Sequence, residues 1–256
     1  MMNQNLQKPT TAVILAAGMG TRLRSIINTS PKGLLKLEER EIVKRSLSKL
    51  RNHGIKRFIL VTGYEKEQYE SALAEEFPEV EFLCNPDYDS TGSMHSLWLT
   101  REILKDDFLL LESDLIYESR GLQQILEKDL KDIILLSGQT NSGDEVYVYG
   151  DQEKIDHISK EFEGSKKLAG ELVGISRISS ELFQMLCSNY ERQKNPSQGD
   201  HYENCISDLS KKRTIPYFRI DDLVWSEIDD PSHYQRAIEH IFPKIKEADK
   251  QYESRA

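Results

Sequence analysis

The sequence predicts an α/β fold, a mixed, mostly parallel sheet flanked by helices with a small inserted β lobe. Three observations predict it. Apolar runs of strand length at residues 12–17, 58–64, 80–84 and 108–111 alternate with helical patterns, the βαβαβ series that builds a parallel sheet covered on both faces. The first run empties into a glycine-rich turn at Gly18 and Gly20, and the fourth into the acids Glu112 and Asp114. After Ser137 the texture changes to closely spaced β-rich segments.

Each element has a local reason. In the stretch 41–53, Ile42, Val43, Ser46, Leu47 and Leu50 recur at helical spacing, and Gly54 supplies a stop. A charged helix over 65–77 leads to the strand at 80–84. Asn85, Pro86, Asp87 and Gly92 then mark a loop. From Ser93 onward Leu97, Trp98, Ile103 and Leu104 return to helical spacing, which puts Gly92 and Ser93 near a helix N-terminus. A helix over 120–128 and a strand over 133–137 complete the first half. The β lobe begins with a hairpin, β-rich at 146–149 and turning at Gly150-Asp151. A strand in GELVGISRIS, a helix over 179–190, a polar loop with Pro196 and Gly199, a helix over 202–211 and a strand over 215–220 follow. The segment VWSEIDD and a helix from Pro231 close the chain. With no internal repeat and no long linker, residues 10–256 read as one domain, and the polar residues 1–9 as a disordered N-terminus.

A net charge of -9 excludes nucleic acid and anionic membrane as partners, because those surfaces demand a broad basic field. A small anionic ligand needs only a local basic pocket, which Arg22 and Lys32 can provide. No stretch is apolar enough to span a bilayer and no hydrophobic signal core opens the chain, so a cytoplasmic location is expected. Cys84, Cys187 and Cys205 have neither zinc nor disulfide spacing and read as buried free thiols. A homodimer is compatible with these features.

The stretch 12–35 reads as a strand delivering a phosphate cradle; its glycines equally suit a tight strand-to-helix turn, and the basic pair that follows favours the cradle. Glycines remove the Cβ atoms that would hold a polyanion away from backbone N–H groups, and the following turn points those donors at it. Arg22 and the Pro31-Lys32 pair add positive charge. The acids at the end of the strand 108–111 face the same edge, since ligands of open α/β sheets bind at the carboxyl ends of the strands.

LAAGMGTRL followed by SPKGLL, the acid in LLLESD and the EIDD segment before the last helix resemble the nucleotidyltransferases that activate small phosphorylated metabolites, which share a Rossmann-like nucleotidyltransferase fold. Within that superfamily the chain is most similar to the cytidylyltransferases acting on 2-aminoethylphosphonate and on phosphocholine. The likeness implies attack by a phosphonate or phosphate oxygen on the α-phosphorus of CTP, with pyrophosphate leaving. Catalysis is then mostly positioning and charge neutralisation. Arg22 is implied to hold the β- and γ-phosphates and Lys32 the α-phosphoryl group. Leu15, Ala16, Ala17, Gly18, Gly20 and Thr21, with Gly92 and Ser93, are implied to bind the nucleotide. Asp114 and Asp229 are implied Mg²⁺ ligands, hard oxygen donors of the kind that ion prefers. Asp230 is better placed to cap the helix at Pro231, and Glu227 is a possible third metal contributor.

The implied acceptor is a small amino-phosphonate or amino-phosphate. A primary amine calls for carboxylates and hydroxyls, which Glu171, Asp200, Tyr202 and Glu203 supply. A trimethylated cation calls for an aromatic cage, for which Tyr88, Trp98, Tyr202 and Trp225 are available, although Trp98 also fits the apolar face of its own helix. Sugar-1-phosphate nucleotidyltransferases are a more distant likeness. A non-catalytic nucleotide sensor is disfavoured, because Arg22, Lys32, Asp114 and Asp229 are all retained.

Overall fold

A computed structural model of the chain describes residues 7–192, 197 and 199–253. Strand β1 (Thr11–Ala16) is buried at every position. It lies between two parallel neighbours, as an apolar run covered on both faces should. Its alternating side chains feed two cores: Val13 and Leu15 on one face, Ala12, Ile14 and Ala16 on the other. The short helix α1 (Arg24–Ile27) and a two-strand ribbon, β2 (Lys36–Leu37) with β3 (Arg40–Glu41), follow. Helix α2 (Ile42–Asn52) buries Ile42, Val43, Ser46, Leu47 and Leu50, the face predicted from spacing.

Strand β4 (Arg57–Thr62), helix α3 (Lys66–Leu73) and strand β5 (Val80–Cys84) continue the series, with β4 parallel to β1 and β5 parallel to β4. After helix α4 (Ser93–Leu99) the chain crosses back, and β6 (Phe108–Glu112) pairs parallel with the other side of β1. The order β5-β4-β1-β6 therefore reverses direction between β1 and β6. Such a switch point opens a crevice at the strands' carboxyl ends.

Strand β7 (Leu115–Tyr117), helix α5 (Ser119–Glu127) and strand β8 (Ile133–Ser137) come next. The hairpin consists of β9 (Tyr147–Asp151) and β10 (Lys154–Ser159). Its turn falls at Gln152 and Glu153, with φ of 49° and 60°, two residues beyond the expected Gly150-Asp151. Gly150 is instead inside the strand, where a Cβ would lie 2.0 Å from the Lys154 carbonyl oxygen, so its glycine serves close backbone approach and not the turn.

Strand β11 (Leu168–Ile178) is the antiparallel hub. Its first part pairs β9, its last part pairs β6, and it also borders β8. The register shifts between Leu172 and Ser176, around Gly174 at φ 78°, a bulge that lets one strand serve partners on different lines. Helices α6 (Ser180–Glu191) and α7 (Tyr202–Ser210) cover one face, and β12 (Tyr217–Ile220) adds to β8 in parallel. Strand β13 (Trp225–Glu227) pairs antiparallel with β7 in a three-residue ribbon that no periodicity announced. Helices α8 (Pro231–Arg236) and α9 (Phe242–Glu253) end the described chain, joined by a π turn over Ala237–Ile241.

Of the N-terminal segment expected to be disordered, residues 1–6 lie outside the described residues. Pro9 is buried, and the Gln7 carbonyl accepts a hydrogen bond from the buried Arg177 at 3.1 Å. No helix among the described residues is long and apolar enough to cross a membrane.

The cysteines separate into two kinds, a correction to their reading as uniformly buried. Cys187 and Cys205 are buried, and burial pushes each thiol up to about 12, whereas Cys84 is exposed at the end of β5. The thiolate is the nucleophile, so both buried thiols stay unreactive as pH rises to 8. Iodoacetamide at pH 8 is expected to add one carbamidomethyl group to the native protein, at Cys84, and three in denaturant. Intact mass and peptide mapping decide it, and alkylation of Cys187 or Cys205 in the native state would contradict this burial.

Candidate active site

A cleft of about 430 Å³ opens at the carboxyl ends of β1 and β6. Its first wall is the predicted cradle. Beyond Ala16 the chain passes through Ala17, Gly18 and Met19 to Gly20, which takes the left-handed conformation at φ 58° before a 3-10 turn over Thr21–Leu23. Apart from its chain neighbours, nothing among the described residues lies within 4 Å of where a Cβ on Gly18 would sit, so no packing among them demands glycine there. The bare side of the loop faces the cleft, as close approach of a ligand to backbone requires.

Lys32 is delivered by a second turn. Gly33 follows it in a space where a Cβ would lie 2.6 Å from the Tyr69 hydroxyl and 3.1 Å from the Ser113 carbonyl, and its N–H donates to Tyr69 Oη at 3.2 Å. This close fit against the end of β6 places Lys32 Nζ in ion pairs with Asp114 and, at 2.5 Å, with Asp229. The β7–β13 ribbon brings the two acids together: Glu227 pairs with Leu115, and the Ile228 N–H donates to the Asp114 carbonyl at 3.2 Å. Asp230 caps α8 by accepting from the His233 N–H at 2.9 Å, which leaves Asp229 turned to the cleft. Arg22 Nη2 reaches Asp229 at 3.3 Å and its Nη1 reaches Asp144 at 2.9 Å.

The electrostatics follow from burial and crowding. Burial acts to lower the pKa of Lys32, but Asp114, Asp229 and Glu227 outweigh it and hold the ammonium charged. Burial raises the Asp114 carboxyl against the pull of Lys32. Burial likewise works upward on Asp229, yet Lys32 and a hydrogen bond from Glu227 bring it well below the usual carboxylate range. Glu112 is pushed up to about 8 by burial and by Asp114 and Glu203, and Glu227 rises by burial and by Asp114 and Glu112. Glu112, Asp114 and Glu227 bring carboxylate oxygens within 4.8 Å of one another.

These residues fit a hard divalent cation. Asp114 and Asp229 are close enough to share one cationic group, Lys32 Nζ, and their donors are the oxygens that Mg²⁺ prefers.

The sequence-predicted residues divide by position. Leu15, Ala17, Gly18, Gly20, Thr21, Arg22, Lys32, Gly92, Ser93, Asp114, Glu203 and Asp229 all line the cleft. Ala16 is buried within β1 and faces the opposite core. Glu171 lines a smaller neighbouring cavity, where its Oε2 accepts from the Thr140 N–H at 2.9 Å and Oγ1 at 2.7 Å. The Asp200 carboxylate accepts from the Ser197 N–H at 2.5 Å, and its carbonyl from the Met94 N–H at 3.0 Å, which ties the start of α4 to the approach of α7. Tyr202 is buried and donates to Glu112 Oε1 at 2.7 Å. Of the four aromatic candidates only Tyr88 lines the cleft. Trp98 lies under Arg101, whose guanidinium carbon is 3.4 Å from the ring centroid, and Trp225 borders the smaller cavity.

The cleft also contains residues that pattern did not single out for the site. Asn85 donates from Nδ2 to Thr91 Oγ1 at 3.2 Å and Ser96 Oγ at 3.0 Å, holding the loop before Gly92. Glu112, two residues before Asp114, had a visible signal in the acidic strand end. Lys160, on the loop after β10, had none.

Residues 11–136 match the family model described as Nucleotidyl transferase. Over this stretch, just under half of its length, the chain is similar to that family. The chain is 27% identical over 232 residues to the bifunctional IPC transferase and DIPP synthase of Aquifex aeolicus, covering 90% of this chain and 51% of that protein. It is also 27% identical over 242 residues to the CMP-5'-(3-aminopropyl)phosphonate synthase of Streptomyces rubellomurinus, covering 90% of this chain and 38% of that protein. The chain thus spans about half the length, or less, of these two relatives. The solved inositol-1-phosphate CTP transferase from T. maritima superposes with a TM-score of 0.81 at 20% identity, over 94% of this chain and 98% of that one, a likeness of fold.

Proposed function

We propose that this chain is a nucleotidyl transferase that moves CMP from CTP to 2-aminoethylphosphonate, releasing pyrophosphate, in the cytoplasm and through a single domain over residues 10–256. The observation that carries the reading is the convergence of Lys32, Arg22, Asp114 and Asp229 in one cleft at the sheet's switch point. Two anions must be brought together for this reaction, and that takes fixed positive charge more than a general base. A phosphonate oxygen attacks the α-phosphorus and the bond to the pyrophosphate oxygen breaks. No proton needs removing, because the attacking oxygen is already ionised near neutral pH. Lys32 neutralises charge on the α-phosphoryl group, Arg22 holds the β- and γ-phosphates after exchanging its carboxylate partners for them, and backbone N–H groups of the first loop complete the cradle. Asp114 and Asp229 would hold Mg²⁺, which supplies Lewis-acid charge neutralisation on the phosphates. The amino-phosphonate acceptor is supported by the acid-lined floor of the cleft and by similarity to a synthase of a CMP-aminoalkylphosphonate.

Pyrophosphate release tests the reading. CTP and Mg²⁺ are combined in turn with 2-aminoethylphosphonate, phosphocholine, phosphoethanolamine, inositol 1-phosphate and sugar 1-phosphates. The highest kcat/KM is expected with 2-aminoethylphosphonate. Release with phosphocholine alone would reassign the acceptor, and silence with every acceptor and all four nucleoside triphosphates would end the catalytic reading.

A further inference from the structure

Among the described residues lining the cleft, the acids Glu112, Asp114, Glu203, Glu227 and Asp229 outnumber the cations Arg22, Lys32 and Lys160. Lys32 is shared by Asp114 and Asp229, and Arg22 is divided between Asp229 and Asp144. Glu203, in the first turn of α7, lines the same cleft and is only 9% exposed, yet its Oε2 is buried without a hydrogen-bond partner among the described residues. Lys160 and His201 act on it only through longer-range attraction. A buried acceptor left unsatisfied is costly, and a charged one more so, so this oxygen is set to receive a donor from outside the chain. Glu112 faces the cleft from the end of β6, and Tyr202, next to Glu203, fixes it by donating to its Oε1 at 2.7 Å. Two carboxylates from different elements are thereby tied to one another through α7.

We propose that Glu203, with Glu112 beside it, is the subsite for the acceptor's ammonium group, and that it selects a primary amine over a trimethylammonium or a neutral hydroxyl. The inference rests on the transfer reaction proposed above and names what discriminates its acceptor. A primary ammonium has N–H donors for Glu203 Oε2. A trimethylammonium has none and depends on aromatic faces, of which the cleft offers only Tyr88 among the four aromatic candidates. A hydroxyl donates a hydrogen bond but brings no positive charge that would stabilise either buried acid in its ionised form.

The test compares 2-aminoethylphosphonate, 2-hydroxyethylphosphonate and phosphocholine as acceptors for the wild type and Glu203→Gln, by pyrophosphate release at saturating CTP and Mg²⁺. Loss of a charge-assisted hydrogen bond should lower the amine-over-hydroxyl ratio of kcat/KM by about 10- to 100-fold, chiefly through KM for the amine. Glu203→Asp, which keeps the charge, should recover part of the ratio. It also decides the matter if Glu203→Gln does not fold. An unchanged ratio, an equal loss with all three acceptors, or a raised Mg²⁺ requirement in its place would each overturn the subsite. A wild type inactive with every acceptor would defeat the transfer reading itself. An active wild type whose selectivity ignores Glu203 would leave that reading standing and remove only this inference.

Discussion

Lys32→Ala is expected to lower turnover by on the order of 10²- to 10³-fold, the loss typical of removing a preorganised charge from a transition state. It should also lower stability by about 3 kcal/mol when divalent cations are absent, because stripping the partner from buried charges leaves them uncompensated. Asp114 and Asp229 are 4% and 7% exposed and both lie against Lys32 Nζ, so its removal sets two carboxylates facing one another in a poorly solvated cleft. For a chain of this size that loss corresponds to a fall in unfolding midpoint of about 6–12 °C. Mg²⁺ should return part of it, since the ion takes the same oxygens. Steady-state rates and thermal unfolding in EDTA and in Mg²⁺ check both halves. Ordinary turnover would take Lys32 out of the chemistry, and an unfolding midpoint indifferent to Mg²⁺ would take Asp114 and Asp229 out of the metal site.

Asp114→Ala separates the metal from the lysine. Turnover should again drop by on the order of 10²- to 10³-fold. Stability should suffer less than in Lys32→Ala, because Asp229 still pairs with Lys32 at 2.5 Å and the Asp114 carbonyl keeps its bond from the Ile228 N–H. The half-saturating Mg²⁺ concentration should rise by about 10-fold or more, on the scale seen when a metal site loses supporting groups. A titration of rate against Mg²⁺ at fixed CTP gives the answer, and an unaltered metal dependence would be the contrary result.

Much of the fold was legible because burial imposes a local period. Helix α2 shows it plainly, since one residue in every three or four had to be apolar to cover β1 and β4, and those residues are the buried ones. The two glycine turns, the basic pair and the EID segment stood out for a different reason. The phosphate and metal roles proposed for them call for particular residue types whatever the surroundings.

What was not legible depends on distant partners. The hairpin turn at Gln152-Glu153 could not be located from Gly150, because that glycine answers to the Lys154 backbone across the strand pair. The β7–β13 ribbon is three residues long on each side, too short for any period, yet it seats Glu227 and Asp229 beside Asp114. Glu171 and Asp200 have the chemistry of an acceptor site, but their carboxylates are occupied by Thr140 and by the Ser197 backbone. Glu112 and Glu203 became a pair only when α7 packed its first turn against the end of β6.

By itself, then, the sequence determined the βαβ frame, the glycine turn proposed as a phosphate cradle and the basic residues that follow it, since each of these is written in neighbouring positions. Which carboxylates converge, and on which cation, was decided only by the tertiary structure, because that depends on strand register and on contacts between segments far apart in the chain.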